Sequence, residues 1–313
     1  MHNTDGATQA AIEAHYDVGR EFYRLWLDPD MVYSCALWPD PPAGPQGLGR
    51  PAAAGRFDDD LARAQQAKLA WHADAAGVGP GSRVLDVGCG WGAMLRFLVE
   101  SRGAAAVTGL TLSSDQAEAA TALLAPSGRA RVRLEDWRDH LAGAPLDAAA
   151  AYDAVVSIGA FEHFTHQGLD RSGRIDVYRR FFDGCARWLV PGGRLSLQTI
   201  AYEDFDETTG AVSSFFTDEI FPESALPHLS EIVVAAEGSF RLQVLRSDPD
   251  HYEHTLHLWQ LRLEAAKDAA LGIAGPDTYR RYRKYLRLSR AMFDRRVCTL
   301  YRIAFERRAR PAP

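Results

Sequence analysis

Apolar positions in the middle of the chain follow two alternating spacings. Five short apolar runs are typical of buried parallel strands, at residues 83–87, 105–110, 131–134, 153–158 and 193–200. Apolar residues at helical spacing lie between them, at residues 94–98, 113–124 and 175–189. Strands that alternate with helices predict an α/β fold with a doubly wound parallel sheet.

The segments on either side of this alternation differ from it. Residues 7–27 carry aromatic and apolar side chains at helical spacing, which predicts an N-terminal helical cap. A loop rich in Pro and Gly at 39–57 and a helix at 59–76 are expected next. Beyond residue 200 the pattern predicts an irregular stretch, two helices and a last strand, at residues 203–230, 251–267, 275–293 and 299–305.

Composition narrows the class of protein. The chain has 313 residues, and its 47% hydrophobic content is enough for a substantial core. A net charge of -6 argues against a nucleic-acid partner. No apolar run approaches the ~20 residues of a membrane span, and no secretory leader is visible. The spacing of the four cysteines fits neither a zinc site nor a disulfide framework, so a cytoplasmic location is expected.

The most specific local motif is the string VLDVGCGWG at residues 84–92. A strand that ends near Asp86 enters a turn whose Gly88 and Gly90 let the backbone come close to a ligand. A glycine turn also occurs where only backbone geometry requires it. The spacing differs from the dinucleotide pattern G-x-G-x-x-G. The full string resembles motif I of the class I S-adenosylmethionine-dependent methyltransferases, whose sheet is Rossmann-like.

The ends of the next two strands agree with that resemblance. In such enzymes the second strand ends near the ribose or the methionine end of the cofactor, which here indicates Thr111, Leu112 and Gln116. The third strand ends in Asp136 and Trp137, an acid for the adenine amino group beside an aromatic ring that can stack. The alternative for Trp137 is a surface aromatic at a strand end.

Several strings outside this core narrow the family. They lie at residues 14–17, 33–36, 109–113, 159–164, 220–222 and 251–259. Together they resemble the cyclopropane-fatty-acid synthase family, including the mycolic acid cyclopropane synthases, from about residue 10 to 307. The resemblance also assigns Tyr33 and Ser34 to the cofactor site. It implies one domain of four parts: a helical cap and lid loop (1–76), a cofactor-binding core (77–200), substrate-binding helical elements (201–293), and a final strand and tail (294–313).

The family's chemistry implies an activity. An alkene attacks the methyl group of S-adenosylmethionine, and loss of a proton from the resulting carbocation gives a cyclopropane or a methylated product. In that family a bicarbonate ion beside the methyl group serves as the base. The resemblance places its ligands at five positions: the backbone amides of Cys35 and Ile200, and the side chains of Glu162, Gln198 and Tyr252. The family usually has histidine where this chain has Gln198, and a glutamine amide cannot become cationic. S-adenosylmethionine is therefore the expected cofactor, with bicarbonate left open.

The substrate is less defined than the reaction. The loop at 39–57 is longer than the family's connector, residues 168–174 resemble an insertion, and four of the five residues at 203–207 are acidic. An acidic entrance matches anionic phospholipid poorly. Both an unsaturated acyl lipid and a small isoprenoid or polyketide alkene therefore remain candidates.

Other hypotheses stand beside this interpretation. Amine N-methyltransferases share the scaffold, and a non-catalytic cofactor-binding module is a further class. The histidines at 163 and 166, and those at 251, 254 and 257, have spacings that a metal site could use, but no metal is expected. The basic run at 280–287 leaves contact with a membrane surface open. The oligomeric state is not predicted.

Overall fold

The computed structural model describes residues 6–8, 18–39, 56–143, 152–203 and 224–309, with backbone alone for 56–59. Seven strands of these residues form one sheet in the order β3-β2-β1-β4-β5-β7-β6. The strands are β1 (Arg83–Val87), β2 (Ala106–Thr111), β3 (Ala130–Leu134), β4 (Tyr152–Ile158), β5 (Leu189–Tyr202), β6 (Phe240–Ser247) and β7 (Cys298–Arg307). The helices are α1 (Arg20–Arg24), α2 (Arg56–Ala75), α3 (Ala93–Glu100), α4 (Ser114–Leu124), α5 (Trp137–Gly143), α6 (Arg171–Trp188), α7 (Leu229–Ala236), α8 (Pro249–Ala265) and α9 (Lys267–Asp294).

The predicted doubly wound α/β fold is confirmed, because β1 to β5 are parallel and helices connect them. The predicted last strand is present as β7, and it runs antiparallel between β5 and β6. Val87 pairs with Leu110, and Thr111 pairs with Leu134, so the carboxyl ends of β1, β2 and β3 lie at one edge of the sheet. Ligands of open α/β sheets bind outside this edge.

Buried apolar side chains cover both faces of the sheet. Leu69, Leu95 and Leu98 pack with β1 and β2 on one face. Phe181 and Phe182 of α6 pack on the other face. A third buried cluster joins the N-terminal segment to α8 and α9, through aromatic residues that include Trp26, Trp259 and Tyr282. This cluster lies beside the carboxyl edge of the sheet and supports the wall of the site.

The N-terminal and C-terminal predictions were partly wrong. Residues 7–8 are not helical, and the cap helix covers only Arg20–Arg24 within the described residues. Residues 56–57 begin α2 instead of ending the loop. The strand β6 and the helix α7 were not predicted. The predicted helix at 275–293 is the second part of α9, which bends at Gly275, where φ is 77°. The acidic residues at 204–207 lie outside the described part of the chain.

No helix in the described segments is long and apolar enough to span a membrane.

Candidate active site

A first cavity opens at the carboxyl ends of β1 to β4. It is lined by every residue that the sequence analysis assigned to the cofactor: Tyr33, Ser34, Asp86, Gly88, Gly90, Thr111, Leu112, Gln116, Asp136 and Trp137. The order of the strands in the sheet determines the order of these residues across the cavity. Trp137 follows β3 at one end, Gln116 follows β2, and the glycine turn follows β1. Four strand ends therefore meet in one groove.

The two glycines of the turn have different reasons for being glycine. Both have positive φ, +86° at Gly88 and +54° at Gly90. A Cβ on Gly88 would lie 2.4 Å from the Cβ of Ala160, so the turn packs tightly against the loop after β4. A Cβ on Gly90 would meet nothing within 4 Å, although the residue lines the cavity. The Gly90 backbone thus leaves space for a ligand to approach.

Side-chain hydrogen bonds hold the floor of the first cavity after β2. The Thr111 hydroxyl donates to Oε1 of Gln116 at 2.8 Å. Ser113 caps α4 by accepting from the Gln116 backbone amide at 3.3 Å. Asp86, at the end of β1, is buried, and this burial raises its pKa to about 7. The floor therefore combines a fixed amide with a carboxyl group that titrates near neutrality.

The end of the cavity after β3 is aromatic and charged. Trp137 is 4% exposed and packs against Phe164 at 5.3 Å and Phe181 at 5.5 Å, so the interpretation as a surface aromatic is wrong. The Asp136 carboxylate accepts from the Arg138 backbone amide at 2.8 Å and from its guanidinium at 2.9 Å. Arg138 also lies over the Trp137 ring, 4.8 Å from its centre. Sequence reasoning missed Arg138, whose partner is only two residues away.

The first cavity fits S-adenosylmethionine. Trp137 offers a ring to an adenine, and Gln116 offers an amide to a ribose. Asp86 offers a carboxyl group, and the open approach at Gly90 leaves room beside it. These groups occupy successive strand ends in the order that an extended nucleoside with an amino-acid tail requires.

A second cavity adjoins the first. Tyr33, Ser34, Gly159 and His163 line both. The second cavity is otherwise mostly aromatic and apolar, and its rings include Tyr202, Tyr252, Tyr285 and Phe293. The Tyr33 hydroxyl donates to that of Tyr285 at 3.1 Å, which ties the shared wall to α9. A molecule in one cavity therefore faces a molecule in the other across a short boundary.

Glu162 projects from the turn after β4 into the second cavity. Its Oε1 accepts from the Ile200 backbone amide at 2.7 Å. Its Oε2 is buried without a hydrogen-bond partner among the described residues. Burial raises the Glu162 pKa to about 7, and the bond from Ile200 opposes that rise. The carboxyl group is thus anchored through one oxygen and presents the other.

Gln198 lines the same cavity and is held by two buried neighbours. Arg302, which is 0% exposed, donates through Nε to Gln198 Oε1 at 2.9 Å. His72 Nε2 lies 3.2 Å from the same oxygen. Because a guanidinium only donates, Oε1 must face Arg302, and the amide NH2 points the other way. That NH2 donates to the Cys35 carbonyl at 3.5 Å.

The other predicted catalytic residues take different places. The Tyr252 ring lines the second cavity and packs 4.7 Å from Phe293. Ile200 also lines it, but its amide already donates to Glu162. Cys35 is fully buried and does not line the second cavity, and burial raises the pKa of its thiol to about 11. The structure thus brings four of the five residues together and leaves Cys35 behind the wall.

Three buried polar residues near the site were missed by sequence reasoning. They are Lys68, His72 and Arg302. Lys68 and His72 lie four residues apart on the apolar face of α2, and Arg302 interrupts the apolar run of β7. A charged residue at an apolar position was the available signal, because charges are seldom fully buried without a partner.

Each histidine of α8 contacts a protein group. His251 Nδ1 accepts from the Trp38 amide at 2.9 Å, His254 packs on the Trp38 ring, and His257 bonds to Arg290. Within the described ranges, no three His, Cys, Asp or Glu residues are grouped so that they could hold a metal ion.

Comparisons with known proteins agree with this geometry. A family model described as mycolic acid cyclopropane synthetase matches residues 3–303. Cyclopropane mycolic acid synthase 3 of Mycobacterium tuberculosis is 36% identical over 290 residues, covering 88% of this chain and 89% of that protein. Hydroxymycolate synthase MmaA4 of the same species is 33% identical, covering 88% and 85%. The crystal structure of mycolic acid cyclopropane synthase CmaA1 with SAH and CTAB is 31% identical, with a TM-score of 0.78, covering 97% of this chain and 100% of that chain.

These matches extend over nearly the whole chain and include the strings outside the shared methyltransferase core. The CmaA1 structure carries SAH, which agrees with the groups that line the first cavity here. The chain is therefore an S-adenosylmethionine-dependent methyltransferase and belongs to the mycolic acid cyclopropane synthetase family.

Proposed function

We propose that this enzyme transfers a methyl group to a carbon of an alkene in an unsaturated acyl lipid. The observation that carries the proposal is the buried, unpartnered Oε2 of Glu162, in an apolar cavity that shares a wall with the cofactor cavity. Relatives named for cyclopropane mycolic acid and hydroxymycolate synthesis support an acyl-lipid substrate. The family also favours carbon over an amine as the methyl acceptor.

S-adenosylmethionine, when bound, supplies a methyl group made electrophilic by a positive sulfur. The residues of the second cavity exclude water from the carbocation that an attacking alkene becomes. The Tyr252 and Phe293 rings lie on this cavity and present faces that attract positive charge. A methylated carbocation is lost to water unless such a site surrounds it, so the aromatic lining is a functional requirement.

We propose Glu162 as the group that takes the proton. A general base is most effective when its pKa lies near the working pH, and burial places the pKa of Glu162 at about 7. The Ile200 amide holds one oxygen in place, so the other has a defined position. The ionised carboxylate also stabilises the positive charge before the proton leaves.

If Glu162 takes the proton, bicarbonate is not needed as the base. The Ile200 amide donates to Glu162, so one of the five predicted ligands is engaged, and Cys35 is not among the residues that line the second cavity. Gln198 offers an uncharged NH2. We expect turnover to be insensitive to bicarbonate removal by degassing and Gln198→Ala to stay active. Rescue of degassed enzyme by added bicarbonate would contradict the proposed base.

The lining also bears on the substrate. Among the described residues, no lysine or arginine lines the second cavity. A diphosphate group needs cationic or metal partners, so the lining favours an uncharged alkene segment. This supports an acyl chain, or a small alkene without a charged head, over a prenyl diphosphate.

The test is methyl transfer from labelled S-adenosylmethionine to a panel of acceptors. The panel contains a monounsaturated acyl lipid, the matching saturated lipid, an uncharged isoprenoid alkene and a secondary amine. We expect label in the unsaturated lipid alone, and proton NMR of the product distinguishes a cyclopropane from a methyl branch. Label in the amine alone would overturn the proposal in favour of N-methylation, and label in the isoprenoid alone would reassign the substrate. Glu162→Gln serves as the control for enzyme-dependent transfer.

We also propose a cytoplasmic location, which the four free, buried cysteines support. Contact with a membrane surface through the basic helix α9 stays a prediction, as does a partner of any other kind. Labelled product in any arm of the panel would eliminate the non-catalytic module.

A further inference from the structure

We propose that Lys68 holds the carboxylate at the amino-acid end of S-adenosylmethionine. No role was predicted for this residue from the sequence. The inference rests on the assignment of the first cavity to the cofactor. It adds the residue that recognises one charged group of that cofactor.

Lys68 carries an amine in a buried position, and this burial lowers its pKa to about 7, which an adjacent anion would oppose. It lies on α2, is 1% exposed and lines the first cavity. Its Nζ donates to the Ser34 hydroxyl at 2.8 Å. An ammonium has three N–H donors, and this bond uses one of them. A buried ammonium is costly unless an anion or further acceptors surround it, so the position calls for a negative partner.

The nearby protein carboxylates supply only part of that charge. Asp28 and Asp86 face Lys68, but burial raises their pKa values to about 6 and about 7. Both oxygens of Asp28 accept from backbone amides, of Val32 at 2.8 Å and Asp30 at 3.2 Å. Arg302 adds positive charge to the same region. Among the described residues, neither carboxylate hydrogen-bonds to Nζ, whose bond to Ser34 leaves further N–H donors for an incoming anion.

The position of Lys68 along the cavity identifies which part of the cofactor it meets. The aromatic end, with Trp137 and Arg138, follows β3 at the edge of the sheet. Lys68 lies at the other end, beside Ser34, which also borders the second cavity. With the adenine at Trp137, the amino-acid tail extends past β1 towards Lys68. Arg138, the other strongly basic residue of the lining, is paired with Asp136 at the opposite end.

The test compares two ligands by titration calorimetry with the purified enzyme. S-adenosylhomocysteine carries the amino-acid tail, and 5′-methylthioadenosine lacks it. Lys68→Met should weaken S-adenosylhomocysteine about 10–100-fold, the range for hydrogen bonds to charged groups. It should leave 5′-methylthioadenosine within about twofold of wild type, because that ligand has no carboxylate to lose.

Gln65→Met is the matched control. Gln65 lies one turn earlier on α2, is buried and donates to the carbonyls of Val32 and Ser34, but it does not line the first cavity. The Gln65→Met substitution therefore weakens the contact of α2 with residues 32–34, and it leaves the charge of Lys68 in place. Equal weakening of both ligands by Gln65→Met and Lys68→Met would assign Lys68 a packing role and overturn the proposal.

A measurement on wild type covers the case in which Lys68→Met does not fold. Decarboxylated S-adenosylhomocysteine should bind wild type about 10–100-fold more weakly than the intact ligand. Equal affinities would overturn the proposal, because they would mean that no cation of the enzyme binds the carboxylate. Neither measurement uses an alkene, so failure here is separate from failure of the proposed reaction.

Discussion

The two oxygens of the Glu162 carboxylate have different surroundings. One is fixed by a backbone amide, and the other is buried beside aromatic rings. A group in this position is chemically useful only when ionised, and burial opposes its ionisation. Two consequences can be measured at the scale of this single residue, one in turnover and one in stability.

Glu162→Gln should reduce turnover by roughly 10²–10⁴-fold, because it keeps the shape and removes the charge. The pH profile should change with it. Since a base must be ionised, wild-type turnover should rise through an acid limb near pH 7, set by the raised pKa of Glu162. In the variant this limb should disappear. Steady-state kinetics from pH 5.5 to 9 provide the measurement.

The control is Tyr252→Phe, which should reduce turnover less because its ring stays in the second cavity. Both variants should bind S-adenosylhomocysteine like wild type. Near wild-type turnover by Glu162→Gln would remove this residue from the mechanism.

Stability should respond to the same group with a defined sign. The folded pKa of Glu162, about 7, lies above the usual 4.5, so the folded state holds the proton over a range in which the unfolded state has lost it. The contribution of Glu162 to stability is full below pH 4.5 and is lost as pH rises through 7. Relative to Glu162→Gln, wild type should therefore lose on the order of 2–3 kcal/mol between pH 5 and 8. Urea unfolding at both pH values tests this, and a constant difference would contradict it.

For single residues, the sequence predicted which motif residues belong to the site, but it did not predict their hydrogen-bond partners. Glu162, Tyr252 and Gln198 were all predicted and all line the second cavity. The bond from Ile200 to Glu162 and the contact of Arg302 with Gln198 were not predicted. The first pair is 38 positions apart in the sequence and the second is 104 positions apart. Local spacing carries no information about contacts between residues so far apart.

Among the structural elements, the turn from β1 to α3 shows how one motif serves two purposes. Its Gly88 is packed against Ala160, and its Gly90 borders open space. Both residues looked equivalent in the sequence, because each satisfies the same pattern of glycines.

Alanine at each glycine should separate stability from ligand binding. Gly88→Ala should destabilise the enzyme by about 2–4 kcal/mol, since a positive φ and a clash with Ala160 add together. Gly90→Ala should cost about 1 kcal/mol for its φ but weaken S-adenosylhomocysteine, because the added methyl group enters the cavity. Urea unfolding and calorimetry on both variants distinguish the effects. A larger stability loss for Gly90→Ala would contradict this assignment.

Element prediction succeeded where a strand is covered on both faces. The strands β1 and β4 are continuous apolar runs and were found within a residue of their ends. The strand β6 was missed: it lies at one of the two edges of the sheet, and all but two of its residues are exposed. Its polar and apolar residues therefore lack the continuous burial that marks the central strands.

Over the whole molecule, Arg302 joins parts that are far apart in the sequence. From β7 it bonds to Asp248, to Gln198 and to the Ala36 carbonyl at 2.8 Å. It is 0% exposed, so its removal takes away the fully buried cationic partner of Asp248 and one donor from each of several interior acceptors.

Arg302→Met should therefore destabilise the enzyme by about 3–5 kcal/mol, the range for breaking a buried ion pair on one side. Arg246→Met is the matched control, because Arg246 bonds to the same Asp248 from a partly exposed position. It should cost less than about 1 kcal/mol. Equal losses in urea unfolding would show that burial of Arg302 does not matter.

The bond from Arg302 to Ala36 spans 266 residues, and it has a consequence for synthesis. At roughly 5–20 residues per second, the ribosome delivers β7 on the order of ten seconds to a minute after the segment that β7 holds. Tyr23 meets its partner Tyr282 after a similar delay. During that interval the glycine turn can fold on its nascent sheet, but the wall shared by both cavities lacks the contacts that α9 and β7 provide. The chamber where the two substrates meet is thus the last part of the enzyme to be made, and a chain that stalls before β7 has no chamber.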